Sequence, residues 1–428
     1  MADLVIPLSD PAAAAADRFG PKAANQAALG HAGLPIPGGF CVDAAAYTRQ
    51  LEASGLAEAA EKADRLAPEE ARSYVSRVRI GLFEHPIVED VRAPLLAAWR
   101  ELSTGEALTV VRSSALMEDR AGASFAGQFE SFLGLDSEAE FETAVRACWA
   151  ALWASRALRY MRDHDIHPVQ TAMALLVQPL IEARASGGGM SRTADGGMTL
   201  TATWGLGSAL AQGEVVPDRY ELTADGALVE TTAGRKDHSV HCVHHRSKAP
   251  TSRAVARDRA RKPCLNETRA VELGRLLRRA EDLMGGPVEI EWALDDAGFK
   301  LLQARPLTVE PAQVPDDIWL RHPGLRGHAS GLGWAAGRAC VINCECELSR
   351  VAPGDVLVTR VAGPALAQIL PRVAGVVAEL GGSTSHLASL ARERGIPMVL
   401  GLLDATRKIP DGAEVGVDGV TGIVRWRA

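Results

Sequence analysis

Residues 288–305 read VEIEWALDDAGFKLLQAR and predict a β-hairpin. The strand period of two places Glu289 and Glu291 on one face of the first strand and apolar side chains on the other face. Two carboxylates about 7 Å apart at an effective dielectric near 20 repel by roughly 2 kcal/mol, so a buried pair needs a cation between them. The hairpin is therefore a candidate metal site, and the open alternative is a hairpin with one solvated face.

The loop that joins the two strands sets which side chains meet. Gly298 favours a three-residue loop over 296–298, because such a loop ends in a left-handed residue. This register places Gln303 opposite the second glutamate and Arg305 opposite the first, whereas a four-residue loop would put Gln303 across from Ile290. The favoured cluster offers hard oxygen ligands for Mg²⁺ and a guanidinium fork for phosphate oxygens.

A second candidate site follows the sequence LTVVRSSA at 108–115, which predicts a short buried strand. Arg112 near its end can donate two hydrogen bonds to a phosphate, and the small residues of AGASFAGQ at 121–128 let backbone N–H groups approach it closely. Glycine-rich turns are more often ordinary turns, and this alternative stays open.

The third candidate is GGSTSH at 381–386, followed by a helical run that stops at the sequence GIP. Thr384 or Ser385 is the expected N-cap, which puts His386 in the first helical turn. Free N–H groups and the helix dipole stabilise negative charge there, so this imidazole can carry a phosphoryl group. The alternative is a packing or capping histidine.

Composition narrows the class of protein. The chain has 428 residues, so two or three domains are expected. Its 53 acidic and 46 basic residues give a net charge of −7, which offers no electrostatic reason to bind nucleic acid or an anionic membrane. No apolar run approaches the roughly 20 residues that cross a bilayer, and the N-terminus lacks a signal-peptide pattern. We expect a cytoplasmic protein whose partner is a small molecule or another protein.

The seven cysteines are scattered and odd in number, as expected where thiols stay reduced. Two patterns could suggest a metal, namely Cys344-x-Cys346 and HSVHCVHH at 238–245. Neither has the second ligand pair of a closed zinc site nearby. We expect no zinc, and a polar strand or exposed connection at 238–245.

Hydrophobic periodicity predicts the elements between these motifs. The predicted helices cover 43–56, 68–83, 138–164 and 364–370, and the predicted strands include FESFLGL and TAMALLVQPLI. Residues 309–325 carry three prolines and no period, which indicates a domain boundary with a semi-rigid linker. Beyond it, short strands alternate with two helices and predict a small α/β sandwich.

Taken together, these motifs resemble the family of pyruvate phosphate dikinase, phosphoenolpyruvate synthase and rifampicin phosphotransferase. The resemblance covers nearly the whole chain, and the motifs occur in family order. Its nucleotide part is marked by the hairpin and by GPKAANQAALGHAGLPIPGGF (20–40), VRSSALMEDRAGASFAGQFESFLG (111–134), LLVQPL (175–180) and WGLGSALAQGEVVPD (204–218). Its phosphohistidine part is marked by GDVLVTR (354–360), GVVAELGGSTSHLASLARERGIPMVLG (375–401) and VGVDGVTGIVRW (415–426).

The resemblance implies a mixed fold, α+β and α/β. An ATP-grasp nucleotide-binding domain of two subdomains would span 1–308, a linker 309–328, and a swivelling phosphohistidine β/α sandwich 329–428. The implied reaction is dikinase chemistry with ATP and Mg²⁺. Histidine takes a pyrophosphoryl group and AMP leaves, one phosphate is lost to water or phosphate, and the remaining phosphoryl passes to an acceptor.

The same resemblance assigns roles to single residues. His386 would be the carrier nucleophile. The residues implied at phosphates are Lys22, Arg112 and Arg305; at the adenine, Gln178; at the ribose and Mg²⁺, Glu289, Glu291 and Gln303; and around the histidine, Gly381, Gly382, Thr384 and Ser385.

Two departures from the family pattern leave the function open. Ser208 stands where the family shows glutamate, and only the linker separates the two domains, without an acceptor domain. The first hypothesis is a compact dikinase whose acceptor, a small molecule with a hydroxyl or nitrogen nucleophile, binds between the domains or on a separate protein. The second is a phosphocarrier or regulatory subunit that works with an acceptor-binding partner.

Overall fold

The computed structural model describes residues 3–104, 107–118, 125, 127–129, 131–243, 247–311, 317–322 and 324–427. The chain divides into two compact units. The first holds the chain up to Ile181 with 242–251 and 301–304, and the second holds 182–241, 252–300 and the chain from Arg305 onward.

The first unit contains an antiparallel five-stranded sheet in the order β1-β2-β5-β3-β4. The central strands β3 and β5 are buried along nearly their whole length, as apolar runs without alternation predict. The predicted strands are present, whereas β1 and β2 had no sequence prediction. The strands are β1 (Val5–Pro7), β2 (Phe40–Val42), β3 (Thr109–Ala115), β4 (Ser131–Leu135) and β5 (Met173–Pro179).

Among its described residues, the first unit has seven α-helices beside this sheet: α1 (Ala16–His31), α2 (Ala44–Ala53), α3 (Ala57–Arg65), α4 (Pro68–Glu84), α5 (Glu89–Leu102), α6 (Glu138–Ala151) and α7 (Ser155–Asp163). The helices predicted at 43–56 and 68–83 correspond to α2 and α4. The prediction of one long helix over 138–164 is wrong, because the chain breaks between α6 and α7. Trp153 is buried at this break and its indole donates to the Tyr47 hydroxyl at 2.8 Å, so tertiary burial outweighs helix continuation.

The second unit begins with strands of a six-stranded sheet in the order β13-β12-β6-β7-β8-β9, of which residues 301–304 belong to the first unit, and β10 and β11 form a ribbon whose residues 242–251 also belong to the first unit. The strands are β6 (Ala185–Met190), β7 (Met198–Trp204), β8 (Asp218–Leu222), β9 (Leu228–Thr232), β10 (His238–Val243), β11 (Ser247–Ala254), β12 (Val288–Asp295) and β13 (Gly298–Pro306). The helices are α8 (Ser208–Ala211), α9 (Arg257–Ala260) and α10 (Glu267–Met284). The segment 238–243 is thus a strand, the first of the two structures expected for it. Residues 244–246 lie outside the described residues.

The hairpin of β12 and β13 has a shorter loop than predicted. Only Asp296 and Ala297 separate the strands, so the expected three-residue loop is wrong. Asp295 tightens the turn by accepting a hydrogen bond from the Ala297 amide at 2.8 Å. Gly298 does have a positive φ of 120°, but it already belongs to β13.

The C-terminal part of the second unit is built on an eight-stranded sheet in the order β14-β21-β20-β16-β17-β18-β19-β15. The inner strands β16 to β19 are parallel, and valines from β17, β18 and β20 form its core. The strands are β14 (Gly324–Arg326), β15 (His328–Ala329), β16 (Trp334–Ile342), β17 (Val356–Thr359), β18 (Gly375–Ala378), β19 (Met398–Leu400), β20 (Glu414–Asp418) and β21 (Ile423–Arg427). The helices are α11 (Asp317–Leu320), α12 (His386–Glu393) and α13 (Ala405–Lys408).

One predicted helix of this part is replaced by shorter turns. Residues 364–370 were expected to be helical, but the chain forms the 3₁₀ turns Pro364–Gln368 and Leu370–Arg372. Pro371 explains the difference, because proline has no N–H to donate and disfavours the α conformation of the residue before it.

The predicted linker ends in strands. β14 pairs with β21 and β15 pairs with β19, so residues 324–328 belong to the eight-stranded sheet. Residues 312–316 and 323 lie outside the described residues. The domain division at 309–328 therefore stays a prediction.

The cysteines correct one sequence expectation. Cys344 and Cys346 are joined in a disulfide, with Cα atoms 5.3 Å apart, where reduced thiols were expected. Both residues are exposed beside the 3₁₀ turn Glu345–Arg350, which curves the chain enough to bring them together. Free thiols are present at Cys41, Cys148, Cys264 and Cys340.

Candidate functional site

Helix α1 bends sharply just before Lys22. Gly20 has a positive φ of 72°, which glycine adopts without steric cost. The helix begins again at Pro21, whose fixed φ suits a first helical position. The Ser114 hydroxyl of β3 spans the bend, donating to the Phe19 carbonyl at 2.8 Å and accepting from the Ala23 amide at 3.2 Å. The bend therefore presents Lys22 in the first turn of the restarted helix, against β3.

Lys22 lies in a polar, largely buried position of the first unit. Its ammonium donates to the Ser113 carbonyl at 2.7 Å and lies 3.4 Å from the Glu118 carboxylate. Sequence reasoning missed Glu118, although an acidic residue three positions after the strand end was visible in the sequence. A phosphate that binds Lys22 must compete with this carboxylate.

Arg112 and Gln303, both predicted to contact nucleotide, meet in the first unit. The Arg112 guanidinium donates to the Gln303 side-chain oxygen at 3.1 Å and to the Leu302 carbonyl. Asn25 and Gln26 of α1 donate to the backbone carbonyls of Ala304 and Leu301 at 3.0 and 3.1 Å. The segment 301–304 is thus held against β3 by the predicted Arg112 and against α1 by Asn25 and Gln26, which the sequence analysis did not single out.

Gln178 is buried on β5, beside β3. Its amide donates to the Gly38 carbonyl at 3.1 Å and to the Gln26 side-chain oxygen at 3.3 Å. Its place next to the adenine stays a prediction. Most of the glycine-rich loop 121–128 lies outside the described residues.

Glu289 of the second unit is the acceptor of a buried ionic cluster. One of its oxygens accepts from Arg305 at 3.0 Å and from Arg392 at 2.8 Å. The Ser389 hydroxyl accepts from both guanidiniums, at 3.3 Å from that of Arg392. These four residues are called the Glu289 cluster below. Glu289 and Arg305, expected to face each other, are in contact, while the strand register that the three-residue loop implied and the pairing of Gln303 with Glu291 stay predictions.

Arg392 is the member that sequence reasoning missed. Its side chain is 9% exposed, and it also donates to the Ser383 carbonyl at 2.6 Å. Burial lowers the pKa of this guanidinium, and the Glu289 carboxylate opposes that shift. An arginine on the otherwise apolar face of α12 was the available signal, because a buried charge requires a partner.

His386 is the first residue of α12 and is exposed. Ser385 is the N-cap, accepting from the Ala388 amide at 3.3 Å, so one of the two predicted caps is the observed one. Thr384 points elsewhere, and its hydroxyl lies 2.9 Å from the Thr201 hydroxyl of β7. The imidazole thus stands at the positive end of a helix whose start is fixed on both sides.

The glycines around the histidine allow a close approach between two chain segments. The Gly381 amide donates to the Val215 carbonyl at 3.0 Å. A Cβ added at Gly382 would lie 2.5 Å from the Pro217 ring, and one at Gly188 would lie 2.5 Å from the Thr384 methyl carbon. The surface that GGSTSH approaches is therefore formed by residues between 188 and 217.

Two family models match the chain. Residues 16–319 match the pyruvate phosphate dikinase AMP/ATP-binding domain, and residues 351–422 match the PEP-utilising enzyme mobile domain. This chain belongs to the pyruvate phosphate dikinase and phosphoenolpyruvate synthase family. The predicted fold class is confirmed, namely a mixed fold with an ATP-grasp nucleotide-binding part followed by a mobile domain of the PEP-utilising enzymes.

Relatives in this family are 30–33% identical to the chain over the aligned residues. The phosphoenolpyruvate synthase of Aeropyrum pernix is 33% identical over 95% of this chain and 56% of its own length. The probable phosphoenolpyruvate synthase of Methanothermobacter thermautotrophicus is 30% identical over 95% of this chain and 61% of its own length. The phosphoenolpyruvate synthase of Escherichia coli K12 is 31% identical over 95% of this chain and 56% of its own length. The chain thus spans little more than half the length of these relatives.

Family membership raises the question of a metal ion, since the resemblance implies Mg²⁺. Among the described residues, no group of three or more histidine, cysteine or acidic side chains is placed to hold one. Glu289 is neutralised by two guanidiniums, which leaves Glu291, half-buried on β12 opposite Gly188 of β6, as the carboxylate with suitable chemistry. A single protein carboxylate fits Mg²⁺, which is commonly held by one or two carboxylates together with substrate phosphates.

Ser208, the departure from the family pattern, begins α8. Its hydroxyl is buried without a hydrogen-bond partner in the part of the chain that the structure describes.

Within the described residues, none of the helices is both long and apolar enough to cross a membrane.

Proposed function

We propose that this chain catalyses ATP-dependent phosphoryl transfer of the dikinase type. A nitrogen of His386 attacks the β-phosphorus of ATP, the bond to the α-phosphate oxygen breaks, and AMP leaves. Water or phosphate then takes the terminal phosphate. The remaining phosphoryl passes from His386 to a hydroxyl or nitrogen of a small-molecule acceptor, which loses its proton.

The observation that carries this proposal is the Glu289 cluster. Glu289 and Arg305 come from the hairpin predicted to bind nucleotide, whereas Ser389 and Arg392 lie on the helix that His386 begins. Burying two guanidiniums with one carboxylate costs desolvation free energy, which is offset only when the charged groups are well positioned for ion pairs and hydrogen bonds. The hairpin that is proposed to bind nucleotide therefore contacts the helix that begins at the proposed nucleophile, His386.

The surroundings of His386 suit a phosphoryl carrier. The first-turn N–H groups and the dipole of α12 favour the negative charge that a phosphohistidine brings. Ser385 fixes the start of the helix, so the imidazole projects from a rigid element rather than from a loop. Exposure of the side chain permits the in-line approach that phosphoryl transfer needs.

The nucleotide phosphates would be held by three cations, Lys22, Arg112 and Arg305. Mg²⁺ would be ligated by Glu291 and Gln303 and would neutralise charge that builds up on the transferring oxygens. In this proposal the chain from 1 to 308 binds nucleotide, 309–328 is the linker, and 329–428 carries His386 between two reaction partners.

The proposal is tested by incubating the full chain with Mg²⁺ and ATP labelled at the β-phosphate. We expect AMP release and an acid-labile phosphoprotein, both abolished in His386→Ala and in Glu291→Ala. His386→Ala should still bind ATP, because its nucleotide groups are intact. Conversion of ATP only to ADP, or no binding of ATP, would instead favour a phosphocarrier charged by a partner.

The Glu289 cluster has its own test. Arg392→Met removes the charge but keeps a long apolar side chain, and we expect phosphorylation of His386 by ATP to slow more than tenfold. Arg394→Met removes a charge two residues along and is the matched control. Chemical phosphorylation by a phosphoramidate should label His386 in both variants, which shows that the imidazole itself is intact. An unchanged ATP-dependent rate in Arg392→Met would contradict the assigned contact.

The acceptor remains to be found by experiment. We propose a small molecule with a hydroxyl or nitrogen nucleophile, bound to this chain or to a separate protein. Screening candidate compounds for stimulation of AMP release by the purified chain identifies the acceptor directly, because each turnover releases one AMP.

A further inference from the structure

A cavity of about 260 Å³ lies in the second unit, and none of the four residues of the Glu289 cluster lines it. Three parts of the chain enclose it: the start of β8 with the loop after β9, the strand end 325–328, and the loop after β19 with α13. The strand end belongs to the linker predicted from the sequence. This space is called the junction cavity below.

Its lining carries an excess of positive charge. Arg219, Arg326 and Lys408 all line the cavity, and none of the described aspartates and glutamates does. Behind the lining, the Glu221 carboxylate lies 2.8 Å from Arg326 and 3.3 Å from Arg219, and Glu230 lies 3.9 Å from Arg326. Two arginines therefore share one close carboxylate.

Lys408 is the least compensated of the three cations. Its ammonium has no hydrogen bond or ion pair among the residues described. The neighbouring Asp404 is paired with Arg407 instead. An anion in the junction cavity would meet an ammonium at no cost in existing contacts.

The wall also contains Thr232 and a histidine, His328. The residue is 5% exposed, and its Nδ1 is buried without a hydrogen-bond partner in the described part of the chain. Burial, with Arg219 nearby, lowers the pKa of His328 to about 3. The imidazole is therefore neutral near pH 7, and the cations alone set the charge of the cavity.

The cavity shares a wall with the histidine loop. Gly401 has a φ of 70°, and a Cβ added there would lie 2.6 Å from the His328 ring and 3.2 Å from the Gly381 carbonyl. Pro217, another lining residue, lies against Gly382. Segments that line the cavity therefore also lie against GGSTSH.

We propose that the junction cavity binds a small oxyanion, a phosphate or a carboxylate group, between Arg219, Arg326 and Lys408. A guanidinium fork can donate to two oxygens of a carboxylate or a phosphate at once, and the ammonium adds a point charge. The volume is below the roughly 300 Å³ at which sites for drug-sized ligands begin, so the ligand is small. Because it would contact three segments at once, the bound anion holds the strand end 325–328 against both neighbours.

The test measures binding without ATP, so its outcome is independent of the dikinase proposal. Calorimetry and thermal unfolding of the full chain are followed while inorganic phosphate, acetate or chloride is added at matched ionic strength. We expect saturable binding of phosphate or acetate in calorimetry. The same anions should raise the midpoint temperature of thermal unfolding, whereas chloride should not. The stronger of the two ligands distinguishes a phosphate from a carboxylate as the natural group.

Variants locate the site. Lys408→Met and Arg326→Gln should each weaken binding at least fivefold, whereas Arg407→Gln, an exposed neighbour outside the lining, should bind as the wild type does. His386→Ala should also bind normally. A midpoint rise equal in all three salts, or equal losses in Arg407→Gln and Lys408→Met, would overturn the proposal and leave a general effect of surface charge.

Discussion

Lys22 shows how much one residue depends on its immediate partners. The bend at Gly20 directs its ammonium to the Ser113 carbonyl, and Glu118 balances its charge in a nearly buried position. A charge-assisted contact to phosphate contributes about 1.5–3 kcal/mol. The Lys22 side chain is therefore expected to account for a large part of the affinity for ATP.

We predict that Lys22→Met lowers the affinity for ATP at least tenfold in equilibrium binding. Lys22→Met alone leaves the buried Glu118 carboxylate without its lysine, which could disturb the fold. The double variant Lys22→Met/Glu118→Gln removes that charge as well and should lose the same affinity for ATP. Lys62→Met, on the exposed face of α3 where Lys62 pairs with Glu58, is the control and should bind ATP normally. Wild-type affinity in the double variant would remove Lys22 from the nucleotide site.

His328 predicts a dependence of stability on pH. Burial holds its pKa at about 3 in the folded chain, against 6.5 for the ordinary group. Between these values the unfolded chain binds a proton that the folded chain does not, so stability falls as the pH drops below 6.5. The slope for one proton is about 1.4 kcal/mol per pH unit.

We therefore expect His328→Gln to lose about 1.4 kcal/mol less unfolding free energy than the wild type between pH 7.5 and 5.5. Denaturant unfolding at the two values measures the difference. The exposed His31, changed to glutamine, is the control and should behave as the wild type. Equal losses in all three proteins would show that His328 is protonated in the folded chain.

At the scale of elements, β6 and the start of α12 fit together through a glycine. A Cβ at Gly188 would lie 2.5 Å from the Thr384 methyl carbon, where Thr384 faces Thr201. Forcing a methyl group into such a contact costs about 1–3 kcal/mol. Gly188 thus permits the close seating of the histidine loop.

Gly188→Ala is expected to slow the phosphorylation of His386 by ATP more than tenfold, because Thr384 must leave Thr201. Rapid-quench measurement of phosphoprotein checks this. Gly286→Ala, where the added Cβ meets open space without a positive φ, is the control and should react at the wild-type rate. A normal rate in Gly188→Ala would show that this contact is not needed for the reaction.

At the scale of the whole molecule, the proposed chemistry requires movement. Phosphoryl transfer needs contact at roughly 3 Å, and a rigid histidine cannot be that close to both a nucleotide and an acceptor. The seated arrangement of Thr384 against Thr201 is suited to one half-reaction only. The chain around 309–328 would supply the hinge.

A disulfide across this contact tests the movement. Because the two hydroxyls are 2.9 Å apart, Thr201→Cys/Thr384→Cys places two sulfurs within bonding reach. The oxidised double variant is expected to release AMP once, without repeated turnover, and reduction should restore turnover. Thr201→Cys alone under oxidising conditions is the control. Sustained turnover in the crosslinked protein would rule out a swinging histidine.

The sequence alone determined the features that depend on local rules. Alternation and apolar runs located β3, β5 and the hairpin, and capping placed Ser385 and His386 at the start of a helix. The motifs in family order also determined the family, which the comparisons confirm. These features follow from residues within a few positions of one another.

Only the tertiary structure decided which distant groups meet. Arg392 reaches Glu289 across 103 residues, and Lys22 reaches Ser113 across 91. The helix break at Trp153 likewise depends on a partner far along the chain, Tyr47. A pattern shows which face of an element is buried, but the groups that neutralise a buried charge or accept a buried N–H come from other elements, and their positions exist only once the chain has folded.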